Sequence, residues 1–209
     1  HMELLCSEAF PFPVIGTVHL ANSIEQFQAL RAGDELRVEV EFGEMLAHDK
    51  GQAFSILSRI YRSDELVWSS VSTNLRVGVK NPVGRPYTSN LNDPAPLARQ
   101  TEWMAPANIG RRYARVSGDF NPIHITSLSA KMFGFKRAIA HGMWTKARAL
   151  AAMMPPGPVT AASVQVEFKT PLFLPAKASL WTAQTPARTM FEVRNGDGSK
   201  PHLRGSLEI

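Results

Sequence analysis

The sequence is poor in cysteine: Cys6 is the only one among 209 residues. One thiol excludes an intramolecular disulfide framework and any zinc site built from several cysteines. No apolar run approaches the roughly 18 residues that a membrane-spanning helix needs, and no secretory leader is visible. We therefore expect no membrane partner and a cytoplasmic location. The pair His1-Met2 is typical of an expression tag, so we expect the natural start to be trimmed or lost.

Several catalytic motifs are missing as well. The chain has no G-x-S-x-G elbow, no H-E-x-x-H pair, no phosphate loop and no dinucleotide fingerprint, which removes support for those enzyme classes. Lys and Arg number 23 against 18 Asp and Glu, a net charge of +5. No nucleic-acid motif accompanies this charge, so we expect no nucleic-acid partner. A solvated basic surface and attraction to another anionic partner both stay open.

The clearest division of the chain lies at residues 81–96, a segment rich in Pro, Gly, Asn and Ser that suits neither helix nor sheet. Each flanking segment is long enough to bury a core of its own. We predict an N-terminal half at residues 1–80, a linker at 81–96 and a C-terminal half at 97–209.

Apolar and polar residues alternate in both halves with the period of two that is typical of half-buried strands. The predicted strands of the first half are 36–42, 54–61 and 67–77. Those of the second half are 164–168, 178–184, 189–194 and 203–209, with a turn at 195–198. Two similar antiparallel series favour an internal duplication.

One segment, residues 141–154, has helical spacing instead, and two prolines and a glycine follow it. Its apolar positions are Met143, Ala147, Leu150, Ala151 and Met154. A largely apolar helix followed by strands predicts a helix wrapped by an antiparallel sheet, an α+β arrangement. Few residues precede Phe10, so the helix of the first half either lies upstream of this sequence or is absent.

The most informative segment is residues 113–143, with the sequence YARVSGDFNPIHITSLSAKMFGFKRAIAHGM. Gly118 is free in φ, and Pro122 restrains both itself and Asn121, so a rigid turn separates Asp119 from His124. A carboxylate and an imidazole on such a turn can hold one water and exchange its protons, as general acid–base catalysis requires. Taken alone, the same pair also suits a capping Asp and a His bonded to backbone.

The whole string resembles the signature of the MaoC-like dehydratases, also called the hydratase 2 family. That signature is an aromatic residue, S-G-D-x-N-P-[LIV]-H, a small residue, G-[FY] and [IV]-[AV]-H-G-M. The matching positions are Tyr113, Ser117, Gly118, Asp119, Asn121, Pro122, Ile123, His124, Ala130, Gly134, Phe135, Ile139, Ala140, His141, Gly142 and Met143. The resemblance implies the hot-dog fold. We therefore expect an α+β double hot-dog with an inactive first half and an active second half.

By this resemblance, Asp119 and His124 are the catalytic pair, and the N–H of Gly142 binds the thioester carbonyl oxygen. The supporting motif residues are Ser117, Asn121, Pro122 and His141. The implied reaction is reversible syn hydration of a trans-2-enoyl thioester to an (R)-3-hydroxyacyl thioester in fatty acyl metabolism, catalysed by a lyase.

The same resemblance implies no metal and no redox cofactor, because coenzyme A or an acyl carrier protein enters as part of the substrate. The expected partner is therefore an acyl-CoA or acyl carrier protein thioester, bound by a monomeric double hot-dog or a homodimer. Lys136 and Arg137 suit either the phosphates of such a substrate or a solvated turn.

Two other functions suit this scaffold. Hot-dog thioesterases usually carry a carboxylate on the central helix, but residues 143–154 contain no Asp or Glu. A non-catalytic acyl-binding module would not need both Asp119 and His124 in a rigid turn. We expect Tyr113 to lie in the core. Three further histidines have no partners at ligand spacing and are expected in the core or on the surface: His19, His48 and His202.

Overall fold

The computed structural model describes residues 1–8, 10–13, 16–89, 91 and 96–209. The strands are β1 (Thr17–Gln26), β2 (Arg37–His48), β3 (Gly51–Arg62), β4 (Glu65–Val77), β5 (Arg85–Pro86), β6 (Ala98–Ala105), β7 (Ala162–Phe168), β8 (Ala176–Gln184), β9 (Thr189–Asn195) and β10 (Pro201–Glu208). The helices are α1 (Met2–Leu5), α2 (Ile109–Ser117), α3 (Pro122–Ile125), α4 (Ser127–Met132) and α5 (Gly142–Met153). This content confirms the predicted α+β class. No helix among these described residues is long and apolar enough to cross a membrane.

The chain forms two compact units. The first comprises His1–Asn92, Pro156–Glu167 and Ser206–Ile209, and the second comprises Asp93–Pro155 and Phe168–Gly205. The predicted domain boundaries stay a prediction, because residues 90 and 92–95 of the linker lie outside the described part of the chain. The described part of that linker contains the two-residue strand β5.

In the first unit the strand order is β5-β2-β3-β4-β1-β7. All neighbouring pairs are antiparallel except β2 and β5, which are parallel. Phe54 and Ile56 of β3 form a core cluster with Phe10, and Leu4 and Leu5 of α1 pack against it. Burying such apolar side chains is the main favourable term in folding. Helix α1 and Phe10 are therefore held to the sheet by packing, and the described part of this unit contains one helix of four residues.

In the second unit the strand order is β10-β9-β8-β6, with antiparallel pairing of β8 to β9 and of β6 to β8. Inward-facing residues Leu180, Phe191 and Val193 are at most 1% exposed. The helices α2 to α4 follow β6 in sequence, and α5 begins immediately after a buried stretch that ends at His141. The informative segment thus follows β6 in the chain and leads into α5.

The predicted strands are all present, with ends that differ by a few residues from the prediction. The turn predicted at 195–198 is closed by the N–H of Gly198, which donates to Asn195 O at 2.9 Å. The alternation pattern does not predict the two-residue strand β5, which lies in the predicted linker. It also does not predict the two longer strands β1 and β6. The alternation of each is broken by a register shift, at His19/Ala21 in β1 and at Arg99/Thr101 in β6. A bulge of this kind moves the following side chains to the opposite face and hides the period of two.

The central helix was predicted correctly, but its buried side was not. The predicted stripe includes Ala147 and Ala151, which are exposed, whereas the buried residues are Thr145, Lys146 and Ala149. The segment is apolar nearly all round, so its pattern does not fix which side faces inward.

Candidate active site

The loop that carries Asp119 is built by the end of α2. Gly118 caps this helix in the left-handed conformation, φ 73°, and its N–H donates to Ala114 O at 2.9 Å. This is the usual position for glycine after a helix, because a side chain is strained there. Ser117 Oγ donates to Tyr113 O at 3.0 Å and accepts the N–H of Asp119 at 3.3 Å. Ser117 therefore ties the loop to the helix it leaves.

The next turn sets the separation of the predicted pair. The Asp119 carboxylate accepts the N–H of Asn121 at 3.1 Å, and Asn121 Oδ1 caps α3 by accepting the N–H of Ile123 at 3.3 Å. Pro122 follows as the first residue of α3, where its missing N–H costs nothing. Asp119 keeps 46% of its side chain exposed, whereas His124 is only 8% exposed.

The tautomer of His124 follows from its hydrogen bond. Its Nδ1 lies 2.9 Å from Ile139 O. A carbonyl oxygen can only accept, so in the neutral ring Nδ1 carries the proton and Nε2 keeps its lone pair. His124 therefore offers a proton acceptor at Nε2.

His141 links the two predicted catalytic residues. Its ring stacks on that of His124 with centroids 3.7 Å apart and planes inclined by 24°. Its Nε2–H donates to the backbone O of Asp119 at 3.0 Å and lies 3.8 Å from that residue's Oδ2. One buried ring thus fixes both the backbone of Asp119 and the plane of His124.

One carboxylate oxygen of Asp119 and one ring nitrogen each of His124 and His141 lie within 4.8 Å of one another. Two hydrogen bonds of about 2.8 Å to one tetrahedral water span roughly 4.6 Å. The cluster is therefore of the size that holds a single water between a carboxylate and an imidazole.

A metal ion suits this cluster poorly. Ligand lone pairs must converge on the ion, but the two imidazoles are stacked 3.7 Å apart at 24°, so their lone pairs lie in separate, nearly parallel planes. One nitrogen of each ring is also engaged with a backbone carbonyl, Ile139 O for His124 and Asp119 O for His141. The arrangement favours proton transfer over metal binding, and the expectation that no metal is needed stays a prediction.

Burial keeps both histidines neutral. Desolvation, helped by the neighbouring His141, lowers the pKa of His124 from 6.5 to about 4. Desolvation also lowers the pKa of His141, against the opposing effect of its bond to Asp119. Nδ1 of His141 is buried and has no hydrogen-bond partner among the described residues, so a proton added there would be unsatisfied.

We expect acid to destabilise the folded chain through His124. Between pH 6.5 and about 4 the unfolded chain binds a proton at this ring that the folded chain does not. The free energy of unfolding therefore falls as pH falls, by up to about 1.4 kcal/mol per pH unit for one such proton. Chemical denaturation from pH 7 to pH 4 measures this slope. His124→Gln should have a shallower slope than wild type, and equal slopes would contradict the assignment.

Gly142 is the first residue of α5, where backbone N–H groups have no partner within the helix. A Cβ added at this position would lie 2.7 Å from two atoms of the Phe168 ring. Glycine is therefore required here by the packing of Phe168, a reason that the sequence did not reveal. The N–H remains placed at the positive end of the helix dipole, beside His141.

Of the other residues considered in the sequence, one contacts the cluster and the rest lie outside it. Tyr113 is half-buried with its ring 5.0 Å from that of His141, so it packs against the cluster. Lys136 and Arg137 are exposed. The remaining histidines lie on strands outside the cluster: His19 on β1, His48 on β2 and His202 on β10.

Two residues of this region were missed by sequence reasoning. Gly110 in α2 packs against the backbone of His124: a Cβ there would lie 1.9 Å from His124 O. Lys146 on the buried side of α5 is 2% exposed, and burial lowers its pKa from 10.5 to about 7. The sequence pattern does not predict a helix at 109–117, so nothing in it identifies Gly110.

Comparison with known proteins gives consistent matches. The MaoC like domain family matches residues 87–205, which include the whole cluster. The 3-hydroxyacyl-thioester dehydratase X of Mycobacterium tuberculosis is 33% identical over 211 residues, covering 99% of this chain and 73% of the relative.

Solved structures agree. The crystal structure of HtdX from Mycobacterium tuberculosis superposes with a TM-score of 0.80 at 30% identity, covering 99% of this chain and 80% of that one. A MaoC-like dehydratase from Phytophthora capsici superposes with a TM-score of 0.80 at 19% identity, covering 94% and 70%, a likeness of fold. The predicted hot-dog fold is confirmed by these neighbours. With a family match over more than half its length and a relative 33% identical along nearly all of it, the chain belongs to the MaoC-like dehydratase family.

Proposed function

We propose that this chain catalyses the reversible hydration of trans-2-enoyl thioesters to (R)-3-hydroxyacyl thioesters, as a hydratase/dehydratase of fatty acyl metabolism. The observation that carries the proposal is the pairing of Asp119 and His124 in the segment that leads to α5. A carboxylate oxygen of Asp119 and a ring nitrogen of His124 lie within 4.8 Å of each other. The relative from Mycobacterium tuberculosis is named as a 3-hydroxyacyl-thioester dehydratase, which is the same reaction class.

The pair supplies two acceptors for one water. The Asp119 carboxylate accepts a hydrogen bond from one O–H of the water, and Nε2 of neutral His124 accepts a hydrogen bond from the other. This leaves an oxygen lone pair for attack on C3. Holding water in a fixed geometry removes much of the entropic cost of the encounter. His141 preserves this geometry because it contacts both partners.

Attack at C3 moves charge to the thioester carbonyl oxygen. Gly142 N–H, at the start of α5, donates to this oxygen, and the helix dipole adds to the stabilisation. Losing one such donor typically costs about 2.7–4 kcal/mol of barrier. The enolate thus forms next to a group that favours it.

The protons balance within the pair. As the C3–O bond forms, one of the two residues takes one proton from the water, while the other proton stays on the oxygen and becomes part of the new C3 hydroxyl. The proton taken by that residue is then delivered to C2 on the same face, which makes the addition syn and returns the pair to its starting state. No metal or redox group enters this sequence, and coenzyme A or a carrier protein takes part only as the thiol of the substrate.

The test is direct. With crotonyl-CoA and a longer trans-2-enoyl-CoA, we expect the absorbance of the conjugated enoyl thioester to decay and an (R)-3-hydroxy product to form, as resolved by chiral chromatography. Free thiol is measured in the same samples. Release of thiol would identify a thioesterase, and binding of the thioester without decay would identify a non-catalytic acyl-binding module.

A further inference from the structure

A surface of mixed basic and apolar character lies on α2 and α4, on either side of the Asp119 turn. On α2, Arg112, Arg115 and Val116 are exposed, whereas Ile109 and Ala114 are buried. Residues three and four apart share one side of a helix, so the three exposed side chains form one strip.

The short helix α4 repeats this arrangement. Leu128, Lys131 and Met132 are exposed at the same spacing, and Ala130 on the opposite side is buried. We name the two strips together the α2–α4 surface. Its residues are Arg112, Arg115, Val116, Leu128, Lys131 and Met132.

A hydrogen bond links α2 to the segment that precedes α4. Arg111 Nη1 donates to Ile125 O at 3.1 Å, and Ile125 precedes Thr126, the capping residue of α4. Helix α2 is therefore held to the end of α3, immediately before the capping residue of α4. Phe120, which is 62% exposed, follows Asp119 in the turn between α2 and α3.

The apolar exposure is too concentrated to be incidental. Val116 is 84% exposed, Leu128 77% and Met132 80%. Single exposed apolar residues are ordinary, but several large ones grouped beside a site mark a contact surface.

The charge around these residues defines the partner. Residues 106–141 contain six Lys and Arg residues, and Asp119 is the one acidic residue among them. Apolar side chains surrounded by charge are typical of a protein–protein interface, and a basic rim selects an acidic partner. The phosphates of coenzyme A would need the cations alone and would leave the apolar side chains of both helices uncovered.

We infer that the α2–α4 surface docks an acidic acyl carrier protein, which delivers its thioester to the Asp119–His124 pair. This inference rests on the proposed function and assigns the form of its substrate. Because docking is electrostatically steered, kcat/KM for a carrier-bound substrate falls as ionic strength rises, whereas chemistry on the same acyl group is unchanged.

The experiment compares one enoyl group on two thiols, trans-2-decenoyl-CoA and a trans-2-decenoyl acyl carrier protein of a bacterial type II system. The variants are Arg112→Glu/Arg115→Glu and Leu128→Ser/Met132→Ser, and the matched control is Lys200→Glu, an exposed cation on the β9–β10 turn. We expect each double variant to lower kcat/KM for the carrier substrate on the order of tenfold. The kcat/KM of each double variant with the CoA substrate should stay within about twofold of the wild-type value. The kcat/KM of the Lys200→Glu control should stay within the same range with both substrates.

The outcomes separate the two proposals. Activity on the CoA substrate alone, or double variants equal to wild type on the carrier substrate, would overturn the docking surface while leaving the hydratase intact. An equal fall in kcat/KM on both substrates would also overturn the docking surface, because the substitutions would then be acting on the Asp119–His124 site. Absence of turnover by the folded wild-type chain on either thioester would refute the proposed function itself.

Discussion

Asp119→Asn lowers kcat for hydration of a trans-2-enoyl thioester by about 10²–10⁴-fold, the usual contribution of a positioned general acid–base group. Asn keeps the shape of the side chain, and its Oδ1 can still accept the N–H of Asn121, which lies 3.1 Å from the Asp119 carboxylate. The turn that leads to His124 is therefore retained. Only the charge and basicity of the carboxylate are lost, so the fall in rate reports its chemistry.

The control for this substitution is Asp197→Asn. Asp197 also accepts a backbone N–H within a turn, from Ser199 at 2.8 Å, but it lies between β9 and β10. We expect wild-type kcat for this variant and unchanged thermal unfolding for Asp119→Asn. An Asp119→Asn enzyme that keeps more than about a tenth of wild-type kcat would remove Asp119 from the catalytic pair.

The second large effect is expected at a residue that does no chemistry. Gly110→Ala places a Cβ 1.9 Å from His124 O and 2.9 Å from its carbonyl carbon. Both atoms are backbone, so α2 and α3 must separate. The Ile139 bond and the His141 stack resist a matching shift of the ring, and the pair is distorted.

A displacement of about 1 Å at a catalytic group can cost roughly 10²-fold in rate, and overpacking costs about 1–3 kcal/mol of stability. Without the clash, Gly→Ala inside a helix would stabilise by up to about 1 kcal/mol. The sign of the change in the free energy of unfolding of Gly110→Ala therefore tests whether Gly110 packs against the His124 backbone. Gly196→Ala is the matched control, because its Cβ would meet only the flexible side chain of Lys177, at 3.1 Å. Wild-type kcat and raised stability in Gly110→Ala would refute this account.

The sequence predicted what is encoded locally. The order Ser-Gly-Asp-x-Asn-Pro indicates a turn because each residue acts on its immediate neighbours, and Ser117, Gly118 and Asn121 make those contacts in the structure. Alternation likewise indicated most strands, since pleating is local. The family, inferred from the same 31-residue string, is confirmed by the full-length comparisons.

What the sequence did not predict depends on distant contacts. The buried side of α5 is set by tertiary packing, which places Lys146 inward while Ala147 faces solvent. The constraint on Gly142 comes from Phe168, 26 positions away. The stack of His124 on His141 joins residues 17 positions apart. None of these contacts leaves a periodic pattern in the chain.

The side chains of the cluster, and the backbone groups that hold them, all come from one continuous stretch, residues 109–142. In many enzymes the catalytic groups come from distant segments, and a single exchange of sequence cannot move them together. Here an exchange of this one stretch moves the whole cluster, provided that the recipient scaffold supplies the contacts made by Phe168 and Leu172 at its end. For enzyme engineering, this stretch is a single segment that can be transplanted into an inactive protein of the same fold.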